Sequence, residues 1–174
     1  SESVRVAGDE INDSIATYLK KVHNLVVGER TAEEIKIKIG SAFPSNEFDL
    51  QSIDVRGLHL LSGLPRSINL KAGDLREAMS EPLNKIVDAV KRTLERTPPE
   101  LAADIVDRGI MLAGGGALVR GISDLLSHET GIFTHVAEDP LLCVVNGCGL
   151  VLDDFKSMRR VLDTPDFARN VIRD

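Results

Sequence analysis

The apolar residues of this chain recur at helical spacing in some stretches and at every second position in others. Steps of three and four predict helices over residues 10–27, 80–96, 97–107, 123–129 and 139–155. Strand patterns predict a first strand over residues 3–7, a hairpin of residues 50–58 and 64–70, and short strands at 109–113 and 131–136. Strands that alternate with helices at both ends of the chain indicate an α/β core.

Residues 31–40 fit two structures. Ile35, Ile37 and Ile39 alternate with lysines, which is strand periodicity. Ala32, Ile35 and Ile39 also fit one face of a helix, and the preceding Thr31 could begin it with a capping box. The pattern favours the helix and leaves the strand open.

Polar residues and prolines suggest where the helices begin and end. We expect Asp9 to cap the first helix and Gly28 to follow its end. Ser80 precedes Pro82, which suits the first turn of a helix, and Thr97 is the expected cap of the next one. The helix over residues 139–155 is apolar nearly all round and is therefore expected in an interior.

The order of the elements predicts a discontinuous inner part and an inserted lobe. Residues 1–8 and 80–155 would form an inner α/β subdomain, and residues 9–79 an inserted α+β subdomain with a small sheet. Residues 156–174 are charged, carry Pro165, and are predicted to be a surface tail with one helical turn.

Composition narrows the class of protein. With 174 residues, 43% of them apolar and 28% charged, the chain can bury a core without disulfide or metal staples. The net charge of −6 and the absence of Trp give no reason to expect a nucleic-acid partner. Cys143 and Cys148 fit neither a redox motif nor a zinc site, so we expect reduced, buried thiols.

Three consecutive glycines are the sharpest chemical feature. Gly114, Gly115 and Gly116 precede Ala117, after a predicted strand and before a helix. The turn lacks the GK[ST] ending of a Walker loop, and Val119 stands where a dinucleotide fingerprint has its third glycine. Glycines there either serve the geometry of a tight turn or let a flat ligand approach the backbone.

A second candidate is an acid–lysine pair at the start of the ambiguous segment. On a helix, Glu33 and Lys36 share a face, where Glu33 could bind hydroxyls and Lys36 a base or phosphate edge. The plain alternative is a weak ion pair on a solvated face. Gly8 and Asp9, at the first predicted strand–helix junction, have a similar alternative as an ordinary helix start.

Four stretches of the sequence, taken in their order along the chain, resemble the sequences of one protein family. They are GERTAEEIKIKIGSAFP, SGLPRSINL, TPPELAADIVDRGIMLAGGGALVRG and AEDPLLCVVNGCG. They are similar to the second half of the actin-like ATPase superfamily, and most similar to the bacterial actin MreB family. The resemblance covers about residues 1–154 and implies the second lobe of an actin-like (ribonuclease H-like) fold.

The resemblance also implies a nucleotide site. Members of this family hold ATP or ADP with Mg²⁺ between two lobes. By resemblance, Gly114, Gly115, Gly116 and Ala117 would lie against the adenosine. Glu33, Glu34, Ile35 and Lys36 would hold ribose and adenine from the other side, and Gly8 would lie near the nucleotide. This favours a helix for residues 31–40.

The family pattern places both phosphate loops, the residue that positions the attacking water, and a membrane-anchoring segment earlier in the chain. We therefore expect this chain alone to lack ATPase activity and catalytic residues. By resemblance, the intact protein would self-associate into filaments, act with cell-wall elongation proteins, and lie in the cytoplasm at the inner face of the cell membrane. The alternatives are the second lobe of a chaperone or sugar kinase of this superfamily, and an interaction domain without ligand.

Overall fold

A computed structural model describes residues 1–162. Its helices are α1 (Gly8–His23), α2 (Glu29–Ile39), α3 (Ala72–Glu95), α4 (Pro99–Arg108), α5 (Ile122–Thr130), α6 (Cys143–Asp153) and α7 (Phe155–Leu162). Its strands are β1 (Leu25–Val26), β2 (Ser52–His59), β3 (Pro65–Lys71), β4 (Ile110–Leu112) and β5 (Thr134–Val136). Short 3-10 turns lie at Phe48–Leu50 and Gly115–Leu118.

Helix α1 forms because its apolar residues make one stripe. Ile11, Ile15 and Leu19 recur at steps of four and are buried. The helix ends earlier than predicted, at Asn24, which takes a left-handed conformation with φ of 51° and donates its backbone N–H to the Leu19 carbonyl. Asparagine tolerates this conformation better than most residues, so the helix stops there and not at Gly28.

The ambiguous segment is a helix. Ala32 and Ile39 are buried on the face of α2 that packs against α1, together with Ile35. Ile37 is 70% exposed, so only two of the three alternating isoleucines face the core. Helix α2 begins at Glu29 after Gly28, and the predicted cap at Thr31 is wrong by one turn.

The predicted hairpin is confirmed, and a third strand, β1, pairs with it. Strands β2 and β3 pair antiparallel, with Val55 opposite Ile68, and β1 pairs with the other edge of β2. Leu25, Val55 and Leu70 are buried beneath the helices, so this three-stranded sheet presents one face to the core.

Helix α3 is one continuous helix that begins at Ala72 rather than at Ser80. Pro82 lies inside it and is buried, although proline removes one backbone hydrogen bond from a helix interior. Leu75, Met79 and Leu83 form a buried stripe that continues through this position. The predicted boundary between residues 79 and 80 therefore falls within a single helix, and the division into subdomains stays a prediction.

The second sheet has two parallel strands. β4 and β5 pair with Met111 opposite His135, and α5 lies between them in the chain and packs against β5. Ile122 and Leu126 on α5 join the same buried cluster as α1 and α2. Helix α4 lies where predicted, but Thr97 is not its cap. Instead, the Thr97 hydroxyl donates to the Thr93 carbonyl.

The predicted first strand is wrong. Residues 3–7 form no strand, because no segment of residues 1–162 pairs with them, and a strand cannot satisfy its own backbone groups. Glu2 nevertheless binds Arg92 of α3 at 2.8 Å.

The end of the described chain also differs from the prediction. The helix predicted over residues 139–155 is shorter than expected and covers only Cys143–Asp153. A separate helix, α7, begins at Phe155 and continues into the predicted tail for more than the expected single turn. The remainder of the predicted tail, residues 163–174, lies outside the described residues. Helix α6 has no buried residue, which contradicts its expected interior position. Cys143 and Cys148 are free, as predicted, but Cys148 is exposed and Cys143 is only partly buried.

Ile15→Ala should lower the free energy of unfolding by about 2–5 kcal/mol, because it removes a fully buried side chain and leaves a cavity. The matched change Ile37→Ala, at an exposed position of α2, should alter it by about 0.5 kcal/mol or less. Urea unfolding followed by circular dichroism measures both. Equal losses for the two variants would contradict this arrangement of the core.

Candidate functional site

Two of the predicted site residues are in contact. The Lys36 Nζ on α2 donates a hydrogen bond to the Gly8 carbonyl at 3.2 Å. Gly8 is the first residue of α1, so this contact ties the beginning of α1 to the middle of α2. A Cβ built on Gly8 would lie 3.2 Å from the same Nζ, so the glycine leaves room for the ammonium group.

The start of α1 is fixed by Glu10 rather than by Asp9. The Glu10 Oε2 accepts the backbone N–H of Ala7 at 2.8 Å. Two hydrogen bonds lower the pKa of the Glu10 carboxyl below its ordinary value of 4.5. The bond from the Ala7 N–H has the larger effect, and the bond from the Glu10 backbone N–H has the smaller one. The expected cap at Asp9 is therefore wrong, because Ala7 is the N-cap residue and Asp9 lies within the first turn. Glu10, which binds the Ala7 N–H, was not among the predicted site residues.

The four predicted residues of α2 divide between two faces. Glu33 is exposed and lies one turn before Lys36. Glu34 binds Arg30 at 3.3 Å and lines a cleft of about 250 Å³ between α2 and β2. Ile35 lines the same cleft, but only 2% of its surface is exposed, so it supports the fold of α2 against α1.

The glycine turn follows β4 directly. Gly114 has a φ of 84°, which favours glycine, and donates its N–H to the Pro140 carbonyl at 2.6 Å. A Cβ on Gly114 or Gly116 would meet no atom within 4 Å, and one on Gly115 would make only an ordinary contact with Leu141. Ala117 is buried beneath the turn. Neither a positive φ nor crowding explains the glycine at position 116.

A backbone bridge connects the two predicted parts of the site. Helix α2 ends at Ile39, with Gly40 as its C-cap. The next residue, Ser41, pairs in parallel with Arg120, three residues after Ala117. The Ala42 N–H donates to the Arg120 carbonyl at 2.7 Å. The end of α2 and the segment that follows the glycine turn therefore run side by side.

Sequence reasoning missed this bridge. Ser41 is buried, and its hydroxyl donates to the Phe43 carbonyl at 2.8 Å. The Arg120 guanidinium lies 3.6 Å from the centre of the Phe48 ring. The segment from Ser41 to Asp49 gave only a loop prediction, because an isolated two-residue bridge has no periodic pattern.

The two predicted parts of the site carry different chemical groups. The open glycine turn offers bare backbone, and Glu33 and Lys36 offer one anion and one cation on the neighbouring helix. Across residues 1–162, no group of three or more His, Cys, Asp or Glu side chains is placed to hold a metal ion. None of the helices in this part of the chain is both long and apolar enough to span a bilayer.

The family and the known proteins that are similar to this chain are MreB or Mbl proteins. Residues 1–160 match the family described as MreB/Mbl protein. The chain is 48% identical over 153 residues to the cell shape-determining protein MreB of Escherichia coli K12, covering 88% of this chain and 44% of that protein. It is 44% identical over 158 residues to the cell shape-determining protein Mbl of Bacillus subtilis 168, covering 91% and 47%. The chain therefore spans a little under half the length of these relatives.

Solved structures agree with the predicted fold class. MreB5 of Spiroplasma citri bound to AMPPNP superposes with a TM-score of 0.85 at 34% identity, over 91% of this chain and 47% of that one. A MamK double helical filament superposes with a TM-score of 0.64 at 18% identity, over 78% and 41%, and supports the fold alone. The α/β class and the actin-like fold are confirmed.

Glu10 should titrate below pH 4.5 because the folded chain stabilises its carboxylate. A lowered pKa means that this contribution is present above pH 4.5 and is lost as the pH falls through the folded-state pKa. The Ala7 amide resonance should therefore shift with the same midpoint in an NMR titration of the chain.

Glu10→Gln is the control for this titration, because its amide oxygen can still accept the Ala7 N–H but has no proton to gain. An Ala7 shift that persists unchanged in the Glu10→Gln variant would assign the transition to another group.

Proposed function

The chain belongs to the MreB/Mbl family, and on that premise we propose that it is the adenosine-contacting half of the ATP site in a cytoskeletal filament protein. The intact protein would help to determine rod cell shape by organising cell-wall synthesis. Membership of this family sets aside the chaperone and the sugar kinase that the sequence alone left as alternatives.

One observation supports this proposal above the others: neither the backbone conformation of Gly116 nor its packing within the chain requires glycine. The turn lies at the carboxyl end of β4, the edge at which α/β proteins bind ligands. Gly116 has room above it and no positive φ, so a side chain there would fit the fold. A ligand that approaches the backbone closely gives a reason for glycine at this position.

The proposed roles of the other residues follow from their positions. Glu33 would bind ribose hydroxyls, and Lys36 would place its ammonium near the base or a phosphate edge while it holds the Gly8 carbonyl. Gly8 would lie near the nucleotide. Glu34 and Ile35 would act through the placement of α2, because Ile35 is a core residue. MreB5 of Spiroplasma citri, similar over 91% of this chain, was crystallised with AMPPNP, which supports a nucleotide as the ligand.

The phosphates and Mg²⁺ would be held largely by parts of the intact protein outside this chain. Phosphoryl transfer depends on groups that cradle the phosphates and on metal ions that neutralise developing charge. Among the described residues, Lys36 is already bound to the Gly8 carbonyl, and no cluster is suited to a metal ion. This chain alone would therefore not hydrolyse ATP.

Assembly and location are part of the same proposal. The intact protein would self-associate into filaments, a role supported by the fold that the chain shares with the MamK filament subunit. It would lie in the cytoplasm at the inner face of the cell membrane and act there with cell-wall elongation proteins. Nucleic acid is not among the proposed partners.

Gly116→Val tests the nucleotide site. We make it in a chimera of E. coli MreB whose matched 153-residue part is replaced by the corresponding part of this chain. The valine side chain would occupy the open space above the turn, and nucleotide affinity should fall at least about tenfold, equivalent to ~1.4 kcal/mol. Calorimetry with ADP measures the change.

Gly73→Val is the matched control, because a Cβ at Gly73 makes only ordinary contacts and lies on α3, away from the glycine turn. It should leave ADP affinity within about twofold, since it changes no group proposed to touch the nucleotide and twofold is only ~0.4 kcal/mol. Unaltered binding by the Gly116→Val chimera would remove the glycine turn from the proposed site.

The isolated chain should show no magnesium-dependent ATP turnover, because the groups that clamp the phosphates are not among its described residues. A steady-state phosphate-release assay measures this, with the chimera as the positive control. Turnover by the purified chain, in proportion to its concentration, would contradict the proposed division of the site.

A further inference from the structure

Strand β2 has one edge that its neighbour covers only in part. On one side β2 pairs with β3 over residues 52–58. On the other side, β1 pairs with Leu58 and His59 alone. The chain then leaves the sheet to begin α2, so no strand of residues 1–162 lies beside residues 52–56 on this side. An unpaired edge exposes a row of backbone donors and acceptors.

The register shows which backbone groups point to this open edge. In antiparallel ladders, alternate residues of a central strand bond to alternate neighbours. The His59 N–H donates to the Leu64 carbonyl at 2.9 Å, toward β3. The Leu60 N–H donates to the Asn24 carbonyl at 2.8 Å, on the side of β1. Odd-numbered residues of β2 therefore bond to β3, and even-numbered residues face the other edge.

Asp54 and Arg56 are even-numbered residues that β1 leaves uncovered. Both are exposed, and in the part of the chain that the structure describes no backbone hydrogen bond reaches their edge-facing groups. Val55, between them, is buried and lies opposite Ile68 of β3. Each of the two uncovered residues thus offers one N–H donor and one carbonyl acceptor to an incoming extended backbone.

Helix α2 flanks this edge and leaves a cleft beside it. The cleft, of about 250 Å³, lies between Thr31, Glu34 and Lys38 of α2 and residues 53–56 of β2. Steps of three and four place the three α2 residues on one side of the helix. In β-augmentation, an extended peptide adds a strand to such an edge, about 4.8 Å from its neighbour. A free strand edge beside a helix wall is suited to this mode of binding.

The two faces of the sheet set what an added segment would carry. Successive residues of a strand point to opposite faces. Residues beside Asp54 and Arg56 would lie on the exposed face, and the alternate residues would lie on the face of Ile53 and Val55, which are apolar and line the cleft. A fitting segment therefore alternates polar and aliphatic residues.

Charge decides which polar residues fit. Glu34 is already paired with Arg30, and the Asp54 carboxylate accepts a hydrogen bond from a side-chain amide of β3 at 3.0 Å. Lys38 and Arg56, one on each side of the cleft, have no ion pair within residues 1–162. Two cations without partners favour a segment that carries carboxylates.

We propose that the cleft between α2 and β2 binds an extended, acidic segment of a partner protein, which pairs antiparallel with residues 52–56. Main-chain hydrogen bonds to Asp54 and Arg56 supply affinity, and carboxylates near Lys38 and Arg56 supply specificity. The proposal does not depend on the nucleotide site, because Lys36 and the glycine turn are not among the residues that line this cleft.

The probe is the capped peptide acetyl-Glu-Val-Thr-Val-Glu-amide, added at millimolar concentration to the full, isotope-labelled chain. Its polar and aliphatic residues alternate as the two faces require. Amide hydrogen exchange followed by NMR is the measurement. In the free chain, the Asp54 and Arg56 amides should exchange faster than the Val55 amide, which bonds to β3. The peptide at saturation should slow exchange at Asp54 and Arg56 by at least about tenfold.

A peptide control and a matched pair of variants test the charge. Acetyl-Lys-Val-Thr-Val-Lys-amide should bind at least about tenfold more weakly, because it brings like charges to the cleft. Arg56→Glu should weaken binding of the acidic peptide by at least about tenfold for the same reason. Arg66→Glu makes the same change on an exposed residue of β3 outside the cleft, and should leave affinity within about twofold. Slow exchange at Val55 shows that each variant keeps its sheet.

Four results would overturn the proposal. The first is unchanged exchange at Asp54 and Arg56 when the peptide is added to a chain with a protected Val55 amide. The second is slowing at Ser67 and Asn69 instead, which would place the peptide on the outer edge of β3. The third is equal binding of the lysine peptide. The fourth is protection of the free chain that grows with its concentration, which would assign the edge to a second copy.

Discussion

The structure depends on the packing of α1 between α2 and α3. Ile15 and Leu19 of α1 are fully buried and belong to the same cluster as Ile35 of α2 and Met79 of α3. Helix α3 extends this cluster toward α5, where Leu126 joins it and Lys91 binds Glu129 at 2.6 Å. Because one core holds the sheet of β1–β3 and the helix beside β5, the two parts of the chain keep a defined relation.

That core also positions the candidate site. The packing of α2 on α1 also places Lys36, which lies beside the buried face of α2 and donates to the carbonyl of Gly8, the first residue of α1. The end of α2 then leads directly to Ser41 and its bridge to Arg120. The charged helix and the glycine turn are separated by much of the sequence, yet this short backbone bridge brings their elements together.

The two sheets differ in how completely their apolar residues are buried. The antiparallel sheet has its helices and its buried face, whereas β4, β5 and α6 leave Met111, Phe133 and Leu152 exposed. The contrast is between a first part with a buried core and a last part whose apolar side chains are largely exposed among the described residues.

The sequence by itself determined the local elements and the family. The stripe of Ile11, Ile15 and Leu19, the hairpin, and the glycines after β4 each have a short-range pattern that allows one main structure. Only the tertiary structure decided between helix and strand at residues 31–40, because the isoleucines fit both and burial of Ile35 and Ile39 selects the helix. It also extended α3 through Pro82 and left residues 3–7 without a strand, since packing outweighs a local breaker and a strand exists only with a neighbour. The apolar α6 shows the same limit: its composition predicted an interior position, but burial depends on long-range contacts, and α6 has no buried residue.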